Sequence, residues 1–239
     1  TKYMLQIKNL TLTHKKDLRE ILSDFSCVFN NGDKAVIIGE EGNGKSTLLK
    51  WLYDPLMVDE YCEAEGERLI SGEVLGYLAQ ELPKEDQQKS VYEFFSEQES
   101  FWNQTPKELN QKAVKFHIAP DFFYREQQMS TLSGGEKVKA QLMRILFAEP
   151  TVLLLDEPSN DIDIETLETL EELILSWDKI VIYISHDETL IERTANKIIH
   201  IEQIRRKTKS RFLHRKHKLH RISQKSQQPD GESGTPGDR

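Results

Sequence analysis

The sequence contains few cysteines and no long apolar run. Its 239 residues include two cysteines, Cys27 and Cys62, which are too few to staple a domain of this size with disulfide bonds. No stretch approaches the roughly 20 apolar residues that a membrane-spanning helix requires, and no apolar leader opens the chain. We therefore expect a soluble, cytoplasmic protein without direct membrane insertion, in which both cysteines are small core residues.

Charge is distributed unevenly along the chain. The whole sequence has a formal net charge of −8, yet residues 203–239 hold 11 Lys and Arg against 3 Asp and Glu. An acidic domain, residues 1–204, is thus followed by a basic tail, residues 205–239. Because the last part of this tail, residues 224–239, is rich in Gly, Pro, Ser and Gln, we predict that the tail is disordered.

Within residues 1–204, short apolar runs alternate with helical patterns. Residues 1–30 alternate between apolar and polar side chains, as antiparallel strands do, whereas continuous apolar runs are typical of buried parallel strands. The predicted buried strands are residues 34–38, 151–155 and 179–184, with 74–79 as one more candidate. The predicted helices around them are residues 134–148, 163–176 and 187–194. This order predicts an α/β fold with a mixed, mostly parallel sheet, flanking helices and an N-terminal antiparallel β part.

A different pattern interrupts this alternation at residues 81–130. Two helical segments are predicted there, residues 90–100 and 106–117. Ser90 precedes Glu93 by three residues, which is a capping-box pattern, and the second segment begins at a Thr-Pro pair. We interpret residues 81–130 as a small helical subdomain inserted into the α/β core.

The segment GEEGNGKST, residues 39–47, fits the P-loop pattern G-x-x-x-x-G-K-S/T between a predicted strand and a predicted helix. Such a loop directs backbone N–H groups and a helix N-terminus at phosphate oxygens. Lys45 would reach the β- and γ-phosphates, and the Ser46 hydroxyl would bind Mg²⁺. The predicted phosphate-binding residues are Gly39, Gly42, Asn43, Gly44, Lys45, Ser46 and Thr47. The segment therefore predicts a P-loop NTPase core.

Two acidic residues follow one of the predicted buried strands. The apolar run 151–155 ends at Asp156 and Glu157, and in open α/β sheets the carboxyl ends of strands form the ligand-binding edge. Asp156 would hold Mg²⁺ through water, and Glu157 would act as general base on the attacking water.

Further motifs carry a family resemblance. The sequence LSGGE at residues 132–136 and Ser-His-Asp at residues 185–187 follow the P-loop in an order that resembles the ATP-binding-cassette ATPases over residues 3–204. A Ser and two glycines that open a helix make a second anion site. In the family this motif closes on ATP held by the P-loop of another cassette, in a head-to-tail pair. The nucleotide contacts that the resemblance implies here are Ser133, Gly134, Gly135 and Glu136.

The resemblance also implies roles for single residues. Gln80 matches the family's glutamine loop, which senses Mg²⁺ and the attacking water, so it counts as both a catalytic and a metal-site residue. His186 matches the switch histidine that hydrogen-bonds the γ-phosphate. His14 stands where the family has an aromatic ring stacked on adenine; imidazole stacks less well, so a preference for ATP over GTP stays open.

Two longer runs, residues 132–142 and 156–167, resemble the ABC-F subfamily, whose soluble, cytoplasmic members carry two cassettes and in many cases act on ribosomes as translation or antibiotic-resistance factors. Two features depart from that pattern: the helical linker and second cassette are missing, and residues 160–163 read Asn-Asp-Ile-Asp instead of Asn-His-Leu-Asp. The chain thus resembles an N-terminal cassette.

Three functions follow as hypotheses. The first is a Mg-ATP-hydrolysing cassette that works with a second cassette, in cis or as a homodimer, on a ribosome. The second is the ATP-binding subunit of a membrane ABC transporter. The third is a binding module without turnover. ATP and Mg²⁺ are the expected cofactors, and we expect weak ATPase activity from an isolated cassette.

Overall fold

The computed structural model describes residues 5–40, 42, 44–204 and 207–214, with only the backbone from residue 202 onward. Within these residues, no helix is long and apolar enough to cross a membrane.

Two sheets organise the structure. Their strands are Leu5–His14 (β1), Glu20–Phe29 (β2), Lys34–Gly39 (β3), Cys62–Ile70 (β4), Leu75–Leu78 (β5), Val152–Asp156 (β6), Ile180–Ile184 (β7), Lys197–Ile204 (β8) and Lys207–His214 (β9). Strands β1, β2 and β4 form an antiparallel sheet of order β2-β1-β4, and the other strands form a mixed sheet of order β5-β6-β7-β3-β8-β9. All neighbouring pairs of the mixed sheet are parallel except β8 and β9. The predicted fold class is confirmed.

The helices lie between these strands in the chain. Their bounds are Gly44–Tyr53 (α1), Lys84–Gln87 (α2), Val91–Ser96 (α3), Glu99–Trp102 (α4), Pro106–Lys115 (α5), Gly134–Phe147 (α6), Ile164–Ser176 (α7) and Glu188–Thr194 (α8). The three predicted helices that flank the core are found as α6, α7 and α8. The predicted helix 90–100 is instead divided into α3 and α4, because Gln98 has extended backbone angles of φ −96° and ψ 129°.

Both faces of the central strands are buried, which explains their continuous apolar sequence. On β6, Leu153 and Leu155 pack into one core with the helices α6 to α8 and the segment of α2 to α5, whereas Val152 and Leu154 pack into a second core with α1 and the antiparallel sheet. Successive side chains along a strand therefore pack into two separate cores, one on each face of the sheet.

Two strands differ from the sequence prediction. Strand β4 was not predicted, because its sequence CEAEGERLI is rich in Glu and contains Gly, yet it pairs with β1 through backbone hydrogen bonds. The prediction of a disordered tail from residue 205 is wrong for residues 207–214, which pair with β8 as β9. A sheet edge offers N–H and C=O groups to any extended segment, whatever its side chains. Residues 205–206 and 215–239 of the predicted tail lie outside the described residues.

Candidate nucleotide-binding site

A cavity of about 570 Å³ opens at the carboxyl ends of β6 and β7, beside the N-terminus of α1. The position agrees with the rule that ligands bind at this edge of an open α/β sheet. Among the residues that line it are Gly42, Lys45, Ser46, Gln80, Glu157 and His186. The structure thus brings together residues that are up to 144 positions apart in the sequence numbering (42 to 186).

The predicted phosphate loop connects β3 to α1. Lys45 is buried, and its Nζ donates hydrogen bonds to the carbonyl oxygens of Gly39 (2.6 Å) and Glu40 (3.2 Å). Gly39 cannot carry a side chain, because a Cβ there would come within 2.2 Å of the carbonyl oxygen of Ile201. Backbone packing therefore shapes the start of the loop. The predicted phosphate ligand Asn43 lies outside the described residues.

Ser46 and Asp156 form the predicted metal pair. Burial raises the pKa of the Asp156 carboxyl, while the nearby Ser46 hydroxyl and the charges of Lys50 and Lys45 act in the opposite direction. A hydroxyl and one carboxylate suit Mg²⁺, which usually takes few protein ligands and completes its shell with phosphate oxygens and water. Within the described chain no group of three or more His, Cys, Asp or Glu could hold a metal ion.

Glu157 and His186 form a close ion-pair contact at the cavity. His186 Nε2 lies 3.0 Å from Glu157 Oε1, and the Glu157 backbone N–H donates to the Ile184 carbonyl at 2.9 Å. Glu157 has φ +49°, a left-handed conformation that is uncommon outside glycine and often marks functional sites. Burial raises the pKa of the Glu157 carboxyl; His186 opposes this shift, and the nearby Asp156 adds to it. A carboxylate with a raised pKa is suited to proton abstraction.

Gln80 and His14 occupy different environments. Gln80 follows β5, is exposed, and faces the same cavity as Lys45 and Ser46, so its predicted role stays a prediction. His14 ends β1 outside the lining of this cavity, and its ring centroid lies 6.2 Å from that of Tyr61 at an interplanar angle of 47°. Burial raises the pKa of the Tyr61 hydroxyl, and the nearby Thr47 hydroxyl of the P-loop helix opposes this shift. Tyr61 was missed by the sequence reasoning, because nothing local connects it to residue 47.

The LSGGE motif begins α6 and lies apart from the lining of the Lys45 cavity. The Ser133 hydroxyl accepts from the Glu136 N–H, and the Glu136 carboxylate accepts from the Ser133 N–H, each at 3.2 Å, which forms a capping box. Glu136 also pairs with Arg125 at 3.5 Å. The structure therefore gives Glu136 a capping role within its own chain, while its predicted contact with a nucleotide stays a prediction.

The glycine pair of this motif packs against Asp161, which precedes α7, and against Thr166 within α7. A Cβ on Gly134 would lie 2.1 Å from the Asp161 carbonyl oxygen, and one on Gly135 would lie 2.5 Å from Thr166 Oγ1. Packing within the chain thus requires both glycines. Ser133 is nevertheless exposed, so the N-terminus of α6 remains accessible to a neighbouring molecule.

Comparisons with known proteins agree with this geometry. Residues 22–160 match the protein family described as ABC transporter. Over 185 residues the chain is 34% identical to the ATP-binding protein Uup of Escherichia coli (strain K12), covering 75% of this chain and 28% of that protein. Over 196 residues it is 31% identical to the energy-dependent translational throttle protein EttA of Haemophilus influenzae, covering 82% of this chain and 34% of that protein.

Solved structures show the same fold. A chain of ribosome-bound archaeal Pelota and ABCE1 has a TM-score of 0.68 at 20% identity, covering 90% of this chain and 35% of that one. A nucleotide-free ATP-binding cassette from an ABC transporter has a TM-score of 0.66 at 16% identity, covering 83% of this chain and 87% of that one.

The fold and the site define a P-loop cassette of the ATPase class. The chain belongs to the ABC transporter family of ATP-binding cassettes. Its predicted resemblance to the ABC-F subfamily is confirmed, because Uup and EttA belong to that subfamily. The chain spans about a third or less of the length of these two relatives.

Proposed function

We propose that this chain binds and hydrolyses Mg-ATP. The observation that carries the proposal is the convergence, in one cavity, of Lys45, the Ser46 hydroxyl and the Glu157–His186 pair, with Asp156 near Ser46. Lysine, hydroxyl, carboxylate and base are the groups that phosphoryl transfer to water requires. Hydrolysis measured by phosphate release should depend on Mg²⁺ and stop in EDTA; release that is unchanged in EDTA would contradict the proposal.

Each side chain has a distinct task in this reaction. Lys45 leaves the carbonyls of its own loop to bind the terminal phosphates. Ser46 and Asp156 would hold Mg²⁺, which would supply positive charge against the phosphate oxygens. Glu157 takes the proton from the attacking water, and His186 orients the Glu157 carboxylate from 3.0 Å while presenting its ring to the γ-phosphate.

A second cassette completes the site in this proposal. The N-terminus of α6 at Ser133 lies outside the lining of the Lys45 cavity, so it serves a nucleotide held by another cassette, either in a longer chain or in a homodimer. An isolated cassette then has weak activity that grows with the square of its concentration. Specific activity that is independent of concentration, without a dimer in light scattering, would contradict a site shared between two copies.

The cellular role that we propose is a part of an ABC-F factor that acts on the ribosome in translation or antibiotic resistance. Its support is the similarity to EttA, whose name describes a translational throttle. Residues 54–130 hold 16 acidic and 7 basic residues, so a contact with RNA would have to use another surface. Co-sedimentation with ribosomes in ATP tests this role.

The second candidate is an ATP-binding subunit of a membrane transporter. It is favoured by the similarity in fold to a cassette from an ABC transporter, which covers 87% of that chain. Co-purification with a membrane protein and no ribosome sedimentation would support this candidate over the first.

A further inference from the structure

Two buried polar atoms near the N-terminus of α1 have no hydrogen-bond partner among the described residues. They are the phenolic oxygen of Tyr77 on β5 and Oδ1 of Asp156 on β6. Buried polar atoms are hydrogen-bonded in the great majority of native proteins, so such atoms call for an explanation. Asp156 belongs to the Ser46–Asp156 pair, so a partner for its Oδ1 would also affect the metal site.

The sheet register places the two side chains on one face. Tyr77 lies opposite Leu154 in the parallel β5–β6 pair, and Leu154 and Asp156 are two residues apart on β6. Side chains two residues apart point to the same face of a strand. Leu154 and Tyr77 both pack into the core beneath α1. Tyr77 therefore reaches along the face on which the Asp156 carboxylate lies.

The chemistry of the two groups is complementary. A tyrosine hydroxyl is a hydrogen-bond donor at neutral pH, and an aspartate carboxylate is an acceptor on both oxygens. Oδ1 of Asp156 is buried and has no partner among the described residues, so it is the acceptor available to Tyr77 through a bridging water.

We propose that Tyr77 is a positioning residue for the metal site: its O–H donates to one buried water, this water donates to Asp156 Oδ1, and the carboxylate is thereby fixed beside Ser46. A carboxylate held in this way keeps its remaining lone pairs directed at the metal and its water. Partners of this kind, behind a metal ligand, commonly change metal affinity by about 10–100-fold when they are removed. The part of this inference that concerns the metal rests on the proposed function.

The first test measures metal binding without turnover. Mn²⁺ binding is followed by electron paramagnetic resonance in the presence of a non-hydrolysable ATP analogue. Tyr77→Phe should bind Mn²⁺ about tenfold more weakly than the parent, with unchanged affinity for the analogue in EDTA. Tyr53→Phe is the matched control, because Tyr53 stacks on Tyr77 at 5.1 Å and loses the same hydroxyl. Equal Mn²⁺ affinity in Tyr77→Phe and Tyr53→Phe would overturn the positioning role.

The second test separates the hydrogen bond from the proposed function. In metal-free buffer, removal of a hydroxyl that has no partner should leave the melting temperature unchanged or raise it, whereas removal of a donor to a buried carboxylate should lower it. We expect Tyr77→Phe to melt about 2–4 °C below the parent. Tyr53→Phe should melt at the same temperature as the parent. An unchanged or higher melting temperature for Tyr77→Phe would overturn the hydrogen bond. If the parent shows no nucleotide-dependent Mn²⁺ binding, the proposed function fails, and the melting experiment alone decides the bond.

Discussion

Replacing Glu157 by Gln tests the assignment of the general base. The two side chains have the same shape, so the amide can stay beside His186, where Glu157 Oε1 lies 3.0 Å from Nε2. The substitution removes only the capacity to take a proton. A positioned general base contributes about 10²–10⁴-fold to a rate, which corresponds to about 3–5 kcal/mol of activation free energy. We therefore expect hydrolysis to slow at least about 100-fold while Mg-ATP still binds.

The assay has to report the chemical step. Single-turnover hydrolysis of labelled ATP, with protein in excess over nucleotide, excludes product release from the measured rate. Glu192→Gln, on the exposed face of α8, is the control for loss of one negative charge. In the parent, because burial raises the pKa of Glu157, the loss of activity on acidification should begin at a higher pH than an ordinary Glu would give, and Glu157→Gln should lack this limb. A rate within about threefold of the parent would refute the role of general base.

Three further predictions concern stability and assembly. The pKa of Asp156 is raised by burial, so the folded apo-protein loses stability as pH rises through that pKa. Asp156→Asn should therefore melt higher than the parent at neutral pH without metal, and this advantage should vanish below the ordinary Asp pKa; equal melting temperatures at neutral pH would contradict it. Phe95→Ala should lower the free energy of unfolding in urea by about 3–5 kcal/mol, because the fully buried Phe95 ring contacts other aromatic rings. Trp102→Ala, at an exposed position, should lower it far less, and equal losses would contradict the packing. In ATP, Glu157→Gln should accumulate as a dimer in light scattering, and a persistent monomer would count against a head-to-tail pair.

The sequence predicted those parts of the fold in which local pattern and environment agree. β3, β6 and β7 are buried on both faces, and their continuous apolar sequence is a direct consequence. β4 and β9 were not predicted, because they join the edges of sheets through backbone groups, and side-chain pattern carries little information about such pairing. The division of the predicted helix 90–100 depends on the backbone angles of Gln98 alone.

The site was predictable to the extent that its motifs are local. The P-loop and the Asp-Glu pair each contain their own strand and turn signal, and the structure brings Ser46, Asp156 and Glu157 together. Tyr61 and Tyr77 could not be predicted, since their relation to the site arises only from the register of β4 and β5. The capping role of Glu136 could also be predicted from the sequence, because Ser-x-x-Glu is a capping pattern.

Nucleotide binding by Lys45→Ala tests the central claim most directly. Calorimetry of the purified chain with Mg and a non-hydrolysable ATP analogue should show binding for the parent and for Lys84→Ala, a control on the exposed surface of α2. Lys45→Ala should lose this binding, because it removes the buried cation that binds the phosphates. The carbonyl oxygens of Gly39 and Glu40 position its Nζ by hydrogen bonds in the free protein. Undiminished affinity in Lys45→Ala would show that residues 39–47 do not bind the triphosphate.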